Sequence, residues 1–449
     1  MKKYLRLRSP IYLFILFLTA TLIGGCGSDP SGPGAGDQNA GYLYTSTNDN
    51  SGNGVVALGR RSDGSLVELP GSPYLTGAAG DAADGDFDTQ GGVRIIGDYL
   101  LVVNAGSNPV NGSVSVFRIN RGNGSLVRID QNSATPEMDN MDSHGERSVS
   151  IASATIGGTT WVAVANQFAN PNYQKSPPEA HGAVMSSAAR NIAVFTFDQS
   201  TGQLTFNRVG VTYSDGTNGG PTTVVFNGDG SKLIASTWGV PHFDTPDADL
   251  TLQKPGRLYV YNFTSGALTQ TGMYEEVGVS GNIGISWSPN NQFIYMANFN
   301  LHSSKENNSV TVHDGTTGAK VQNFATAERN DEACWTLVSN DRTKLFTVSF
   351  TGNNVSTFDI GSDDRLTVSL SPNFITRRAA PPQDSKEPYQ SADGYLYVAG
   401  AFKTHSVAIF SVAANGALTE LAGSPFAVPS SVGKTNMQQA YIGLTGFDK

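Results

Sequence analysis

A single supersecondary unit recurs seven times along this chain, and a repeat of that length decides the fold before any other feature is weighed. Its clearest member is an apolar run that ends in a sharp turn: LYTSTN from Leu43, YLLVVN from Tyr99, WVAVAN from Trp161, LIASTW from Leu233, FIYMAN from Phe293, LFTVSF from Leu345 and LYVAGA from Leu396. The starts lie 56, 62, 72, 60, 52 and 51 residues apart. A second stretch follows each run: GVVALGR, GSVSVFRIN, RNIAVFTFD, GRLYVYNF, NSVTVHDG, NNVSTFDI and HSVAIFSV. A third comes after a turn: GSLVELPG, GSLVRID, GQLTFNR, GALTQTG, GAKVQNF, DRLTVSL and GALTELAG. Asp-Gly, Asn-Gly and Thr-Gly pairs stand at these turns, where glycine takes positive φ freely. Apolar residues alternate with period two, and helix signals are lacking.

A fourth strand precedes six of the seven runs: GGVRII, ERSVSIAS, PTTVVFN, NIGISWS, CWTLVSN and a weak one near PYQSADG. The run at Leu43 has none before it, and the missing strand stands at the other end of the chain, in MQQAYIGLTG. The expectation is all-β: a seven-bladed β-propeller of four-stranded antiparallel blades over residues 41–449, its ring closed by the C-terminal strand in blade 1. Closure leaves only short, protected sheet edges. A β-sandwich would not repeat seven times, and a β-helix would have a much shorter period.

The N-terminus is a separate segment. Lys2, Lys3, Arg6 and Arg8 precede an apolar stretch of 13 residues, Ile11 to Ile23, and then Gly24-Gly25-Cys26. That stretch is short of the roughly 20 residues of a membrane-spanning helix, and the pattern predicts a cleavable export signal over 1–25. Ile23-Gly24-Gly25-Cys26 resembles a bacterial lipobox, which implies that Cys26 becomes the lipid-modified N-terminus. Residues 26–40, rich in Gly, Pro, Ser and Asp, cannot bury enough surface to fold and read as a flexible tether. Loss of the four basic leader residues from 29 leaves 25 Lys+Arg against 38 Asp+Glu. An acidic surface of that size disfavours nucleic acid and anionic lipid heads, so the lipid alone holds the protein to the membrane. The expected location is the cell envelope, at the outer membrane in a Gram-negative cell, since Gly27 and not Asp follows the cysteine. Cys334 is the one other cysteine, so no disulfide within the chain is available, and a monomer stabilised by its core is expected.

Label the strands of a blade A to D from the inside out. Antiparallel order puts the start of A, the B–C loop and the end of D on one face. The insertions fall on that face: B–C loops Gln167 to Ala189, Gly239 to Pro255 and Asn300 to Asn308, and D–A linkers Ser72 to Thr89 and Gln131 to Gly145. Long loops on one side of a rigid ring are where binding sites concentrate. His181, His242 and His302 sit in the three B–C insertions, and His144 sits in a D–A linker just before Glu146-Arg147. A second inner strand opens with Glu328-Arg329-Asn330-Asp331-Glu332-Ala333-Cys334-Trp335. First residues of inner strands face the mouth of the channel, so Glu146, Arg147 and Glu332 are expected to converge there, with His144 on the rim. Opposite charges in a concave mouth suit a small anionic or polyhydroxy ligand; the plainer alternative is that they pair with each other.

Two further constellations are weaker. Asp81, Asp84, Asp86 and Asp88 alternate like a calcium loop, but Thr89 stands where glycine belongs and Ile95 where a bidentate Glu belongs. A solvated acidic loop is expected, with a divalent cation such as calcium near Asp84, Asp86 and Asp88 as the lesser reading. Asp244, Asp247 and Asp249 beside His242 lack the spacing of a zinc site. Signatures for a nucleophilic serine, a zinc protease and a phosphate loop are absent. No cofactor or resident metal is expected, and Cys334 on an inner strand reads as a buried, inert thiol.

LLVVNAGSNPVNGSVSVFRINRGNGSLVRID, SPNNQFIYMAN and EACWTLVSNDRTKLFTVSFTGNNVSTFDI resemble the lactonase-type seven-bladed propellers, a family that includes bacterial 6-phosphogluconolactonase and fungal carboxymuconate cyclase. The resemblance spans residues 41 to 449 and implies the fold. It also implies a site at the channel mouth built from a histidine with Glu and Arg residues. Where the family's enzymes open an early-middle inner strand with histidines, this chain has His144-Gly145-Glu146-Arg147-Ser148-Val149, a single displaced histidine.

Two functions follow. The first is an exported hydrolase of a lactone or related small sugar or organic acid. His144 or Glu146 would serve as general base, Glu332 would complete the charged mouth, Arg147 or Arg329 would hold a carboxylate or the developing oxyanion, and Trp335 would contact substrate. The second is a non-catalytic propeller that recognises a protein partner or a cell-surface polymer through the same loops. Carboxyls with raised pKa at the mouth favour the first; a broad apolar patch on the loops favours the second.

Overall fold

The computed structural model describes residues 39–82, 89–106, 110–167, 190–213, 220–239, 250, 254–300, 302–326, 332–368, 374–376, 381, 383–400 and 402–449. Cys26 and the export signal, Asp84, Asp86, Asp88, His181, His242, Asp244, Asp247, Asp249 and Arg329 lie outside the described residues.

Seven antiparallel sheets carry the repeat, each in the order A–B–C–D. The A strands are Ile442–Asp448, Val93–Ile96, Ser148–Ile156, Pro221–Phe226, Gly281–Trp287, Ala333–Val338 and Ser385–Gln390 for blades 1 to 7. Each A strand contacts that of the next blade, and the seventh meets the first, so the A strands close a ring around an axis. Blade 1 takes its B, C and D strands from the start of the chain (Gly41–Ser46, Gly54–Arg60, Leu66–Glu68) and its A strand from the end. Gly41 pairs with Asp448, Tyr42 with Phe447 and Tyr44 with Thr445. The single missing strand in the repeat thus marks the closure point.

Burial explains why these runs become these strands. B and C strands are sandwiched between neighbouring blades and need apolar side chains on both faces. Tyr99–Asn104, strand B of blade 2, is buried at every position. Outer strands have a neighbour on one side only, and Gln203–Thr212, strand D of blade 3, is mostly open to solvent. The largest core cluster joins blades 2 to 4 through residues such as Leu101, Val116, Val164, Phe195 and Leu233.

A second repeat holds the blades together on the face of the A–B and C–D turns. A tyrosine of strand B donates its hydroxyl to a backbone carbonyl in the C–D turn of the next blade: Tyr44 to Gly124 at 2.9 Å, Tyr99 to Ser200 at 3.2 Å, Tyr295 to Asp364 at 2.7 Å and Tyr397 to Gly64 at 3.0 Å. The last of these joins blade 7 to blade 1. Arg60 reinforces the closure: its fully buried guanidinium pairs with Asp448 of its own blade and Asp393 of blade 7.

The structure corrects two details. The Gln131 to Gly145 linker is not all loop: Met141–Glu146 pairs with strand C of blade 2 beside Leu126–Ile129, so the outer strand there is built in two pieces. The weak strand near PYQSADG begins earlier, at Ser385, and carries Lys386 and Glu387.

Candidate functional site

The inner strands begin irregularly. In blades 3 to 7 the A–B register slips within the first few residues of A, between Ser148 and Ser150, Pro221 and Thr223, Asn282 and Ile285, Ala333 and Trp335, and Ser385 and Pro388. Such bulges bend a strand and re-aim its side chains. The backbone just before two of these starts is left-handed at residues other than glycine: φ is 57° at Arg147 and 58° at Glu332, and His144 is at 58° as well. That conformation costs a side-chain-bearing residue about 1–2 kcal/mol. Three of the residues singled out from sequence therefore share an unfavourable backbone at one face of the ring.

Their side chains have different surroundings. Arg147 is wholly buried; its Nε lies 3.0 Å from Asp81 and its Nη1 donates to Gln167 Oε1 at 3.2 Å. It pins the blade 1–2 linker to the mouth of blade 3. Glu146, next to it, is half-buried, and its Oε2 is shielded from solvent without a hydrogen-bond partner among the described residues. Burial pushes this carboxyl above the usual carboxylate range. Glu332, half-buried, opens strand A of blade 6, and its carbonyl accepts the Phe350 N–H at 2.8 Å. Blades 3 and 6 stand across the axis from each other. His144 is directed away from the axis: its ring stacks on Phe206 of outer strand D in blade 3, centroids 3.6 Å apart. Trp335 is fully buried and donates its indole N–H to Thr89 O at 2.7 Å, so it acts as a wall of the channel. His302 caps a short helical turn, Ser303–Asn308, with its Nδ1 accepting the Ser304 N–H at 3.2 Å. Cys334 is buried and is not part of a disulfide. Among the described residues no three His, Cys, Asp or Glu side chains gather as metal ligands.

The end of the blade 1–2 linker occupies the axis itself. The Gln90 amide exchanges hydrogen bonds with the Thr336 backbone of blade 6, donating and accepting at 3.1 Å. Gln90 N–H donates to Thr223 Oγ1 of blade 4 at 3.2 Å, and Gln90 O accepts from Ser150 of blade 3 at 2.5 Å. Gly91 N–H reaches both carboxylate oxygens of Glu387 in blade 7, at 3.0 and 3.1 Å. Residues 89–91 thus bond to inner strands of four blades. Gly91 sits at φ +83° with Ser150 Oγ 3.2 Å from where a Cβ would be, which leaves little room for any other residue.

Glu387 and Arg94 escaped the sequence reading. Glu387 is 9% exposed, and burial pushes it up to about 8, against the opposing pull of the Gly91 N–H and the Arg94 charge. Arg94, on strand A of blade 2, is exposed; desolvation lowers its pKa, and the Glu387 charge opposes that shift. The available signal was a pair of charges, Lys386-Glu387, inside a strand position that other blades fill with uncharged residues such as Ser150, Thr223 and Trp335.

No family model and no curated protein matches the chain. Solved structures do. A proposed 6-phosphogluconolactonase from Bacteroides fragilis superposes with a TM-score of 0.60 at 16% identity, covering 93% of this chain and 100% of that one. The periplasmic gluconolactonase of Pseudomonas aeruginosa gives 0.57 at 15% identity, covering 90% and 99%. A protein from Lactobacillus plantarum gives 0.60 at 14% identity, covering 91% and 99%. At these identities the likeness establishes the seven-bladed fold, and the chain is similar to lactonase-type propellers in that sense.

Proposed function

We propose that the protein is a hydrolase of a small lactone, of the gluconolactone kind, acting at the A-start mouth of the ring outside the cytoplasm. The observation that carries this reading is Glu146: a carboxyl with a buried, unpartnered oxygen and a raised pKa, held beside the Arg147–Asp81 pair. A carboxyl whose pKa is raised in this way holds a proton more readily than an ordinary carboxylate, which suits it to general-base work. Glu146 would take a proton from water as its oxygen attacks the lactone carbonyl. The ring C–O bond then breaks, and the proton passes to the departing alkoxide, giving a hydroxy acid. Arg147, occupied by Asp81 and Gln167, is a positioning residue in this scheme. The name of the Pseudomonas neighbour, a periplasmic gluconolactonase, supports the substrate class. The leader and Cys26 support export and lipid anchoring.

The binding-module reading has no comparable support. Of the twelve large exposed apolar side chains among the described residues, Val127, Phe206, Val209, Met273, Val321 and Val368 are spread over the outer strands of five blades, and Leu75, Val110, Met138, Val277, Val432 and Met437 lie in linkers and loops. The test is acid release from D-glucono-1,5-lactone, a phosphorylated gluconolactone and other sugar lactones by the purified protein, with and without a divalent cation. Turnover of an unphosphorylated lactone is expected; no turnover of any lactone overturns the reading. Membrane fractionation of Cys26→Ser checks the anchor: the variant should become soluble, and full retention in the membrane pellet contradicts lipidation.

A further inference from the structure

Between blades 4 and 5 lies a cluster of reactive side chains that the hydrolase reading leaves unused. Its centre is Glu276, just past the outer strand Ala267–Glu275 of blade 4. Glu276 Oε2 accepts from the Lys320 ammonium and from the Tyr274 hydroxyl. Its Oε1 accepts from Lys305 Nζ at 2.8 Å and from the Asn308 side-chain amide at 3.2 Å. Lys320 Nζ also donates to Asn308 Oδ1 at 3.1 Å. An amine and a carboxamide thus touch each other, and one carboxylate is hydrogen-bonded to both nitrogens. Asn308 is 3% exposed, and Glu276 and Lys320 are 22% and 23% exposed, so water has limited access to the group. The Tyr274 ring, 5.8 Å from Lys320 Nζ, packs edge-on against the buried His313 at 4.7 Å and walls one side.

We infer that Lys320 and Asn308 join in an intramolecular amide bond, with Glu276 as the proton carrier. Glu276 takes a proton from the Lys320 ammonium. The freed Nζ lone pair attacks Asn308 Cγ, and Glu276 passes the proton to Nδ2 as the Cγ–Nδ2 bond breaks. Ammonia leaves, the new amide keeps one hydrogen on Nζ, and Glu276 hands the remaining proton to solvent. Reactants held in contact in this way react as one molecule. Against the upward push of burial, hydrogen bonds from Lys305, Lys320 and Tyr274 hold the Glu276 carboxyl down at about 2. Proton transfer to it is therefore slow, which a bond made once per molecule tolerates. The product ties the helical turn Ser303–Asn308 to outer strand Lys320–Phe324 of blade 5, a cross-link of the kind a disulfide supplies. The inference does not depend on lactone hydrolysis.

The experiment is trypsin digestion of the denatured wild-type protein, read by mass spectrometry. An acylated Lys320 resists cleavage, so the sequence from Glu306 to Arg329 is expected as one peptide, lighter than its sequence by one ammonia. Fragment ions from inside the ring closed by Asn308 and Lys320 should be missing. Lys320→Arg keeps the charge without the nucleophile and should give peptides of full mass, cut at position 320. Glu276→Gln should hold at least tenfold less of the cross-linked peptide. Wild-type peptides of full mass cut after Lys320 would overturn the inference and leave plain ion pairing. Loss of ammonia with normal cleavage after Lys320 would also overturn it, since that is a succinimide at Asn308-Ser309. Full cross-linking in a folded Glu276→Gln would overturn the role given to Glu276.

Discussion

The two faces of the ring are built on different terms. On the turn face the same device recurs from blade to blade: a strand-B tyrosine bonded to the next C–D turn, including the step from blade 7 to blade 1. On the A-start face regularity breaks down. Inner strands bulge, Arg147 and Glu332 adopt left-handed backbone, and a linker reaches into the axis. The turn face pairs the buried Arg60 guanidinium with Asp393 and Asp448. The A-start face keeps a carboxylate oxygen of Glu146 without a hydrogen-bond partner among the described residues, near the mouth. Unsatisfied groups and strained backbone cost stability, so they persist where the rest of the fold over-determines them. The turn face closes the ring, and the ligand site we propose lies on the other.

The strongest way to break this contrast is to remove the closing strand. Deleting Ile442 to Lys449 exposes the edge of Gly41–Ser46 and the side of blade 1. The expected result is an aggregated chain or a melting transition lowered by far more than the roughly 0.5–3 kcal/mol of a usual point change. Unchanged melting would mean that blade 1 stands without its inner strand. Arg60→Ala comes next. It leaves Asp448 and Asp393 without their buried partner and should cost about 3–5 kcal/mol in denaturant unfolding.

Glu387→Gln probes the channel through pH. The folded protein holds this carboxyl's proton up to about pH 8, whereas the unfolded chain releases it near its ordinary value of 4.5. Between those values the folded state binds more protons, so stability falls as pH rises through the window and levels off above it. The slope from this one group is at most about 1.4 kcal/mol per pH unit. The amide variant should lose that fall. Parallel stability curves for variant and wild type between pH 5 and 8 would contradict the assignment. The smallest expected effect sharpens the other side of the comparison: Tyr397→Phe removes one lock and should cost about 1 kcal/mol without altering ligand binding.

How much of this was legible in the sequence follows from what each part depends on. The B and C strands could be read because burial on both sides demands continuous apolar runs such as YLLVVN and RNIAVFTFD. Closure could be read because the unit at Leu43 lacks a strand that the C-terminus supplies. The mouth could be read in part: topology put Glu146, Arg147 and Glu332 at starts of inner strands, but not what each side chain would meet. Arg147 finds Asp81, which is 66 positions earlier in the chain, through a linker whose path no local pattern fixes. Gln90 bonds to Thr336, 246 residues away. His144 was read as a rim residue from its position in the chain; its stacking on Phe206 depends on a two-piece outer strand that the composition of residues 131–145 does not reveal. Glu387 was passed over because polar residues in SKEPYQ weaken the strand signal at the place where they face the channel.

The central claim, that the A-start face carries chemistry and not closure, is tested most directly by the turnover of D-glucono-1,5-lactone by Glu146→Gln relative to wild type, at equal folded protein. The account predicts a loss of about 10²-fold or more, the usual share of a general base, with no fall in melting temperature, because the variant removes a buried carboxyl that has no hydrogen-bond partner at Oε2. Wild-type turnover in a folded Glu146→Gln would contradict it.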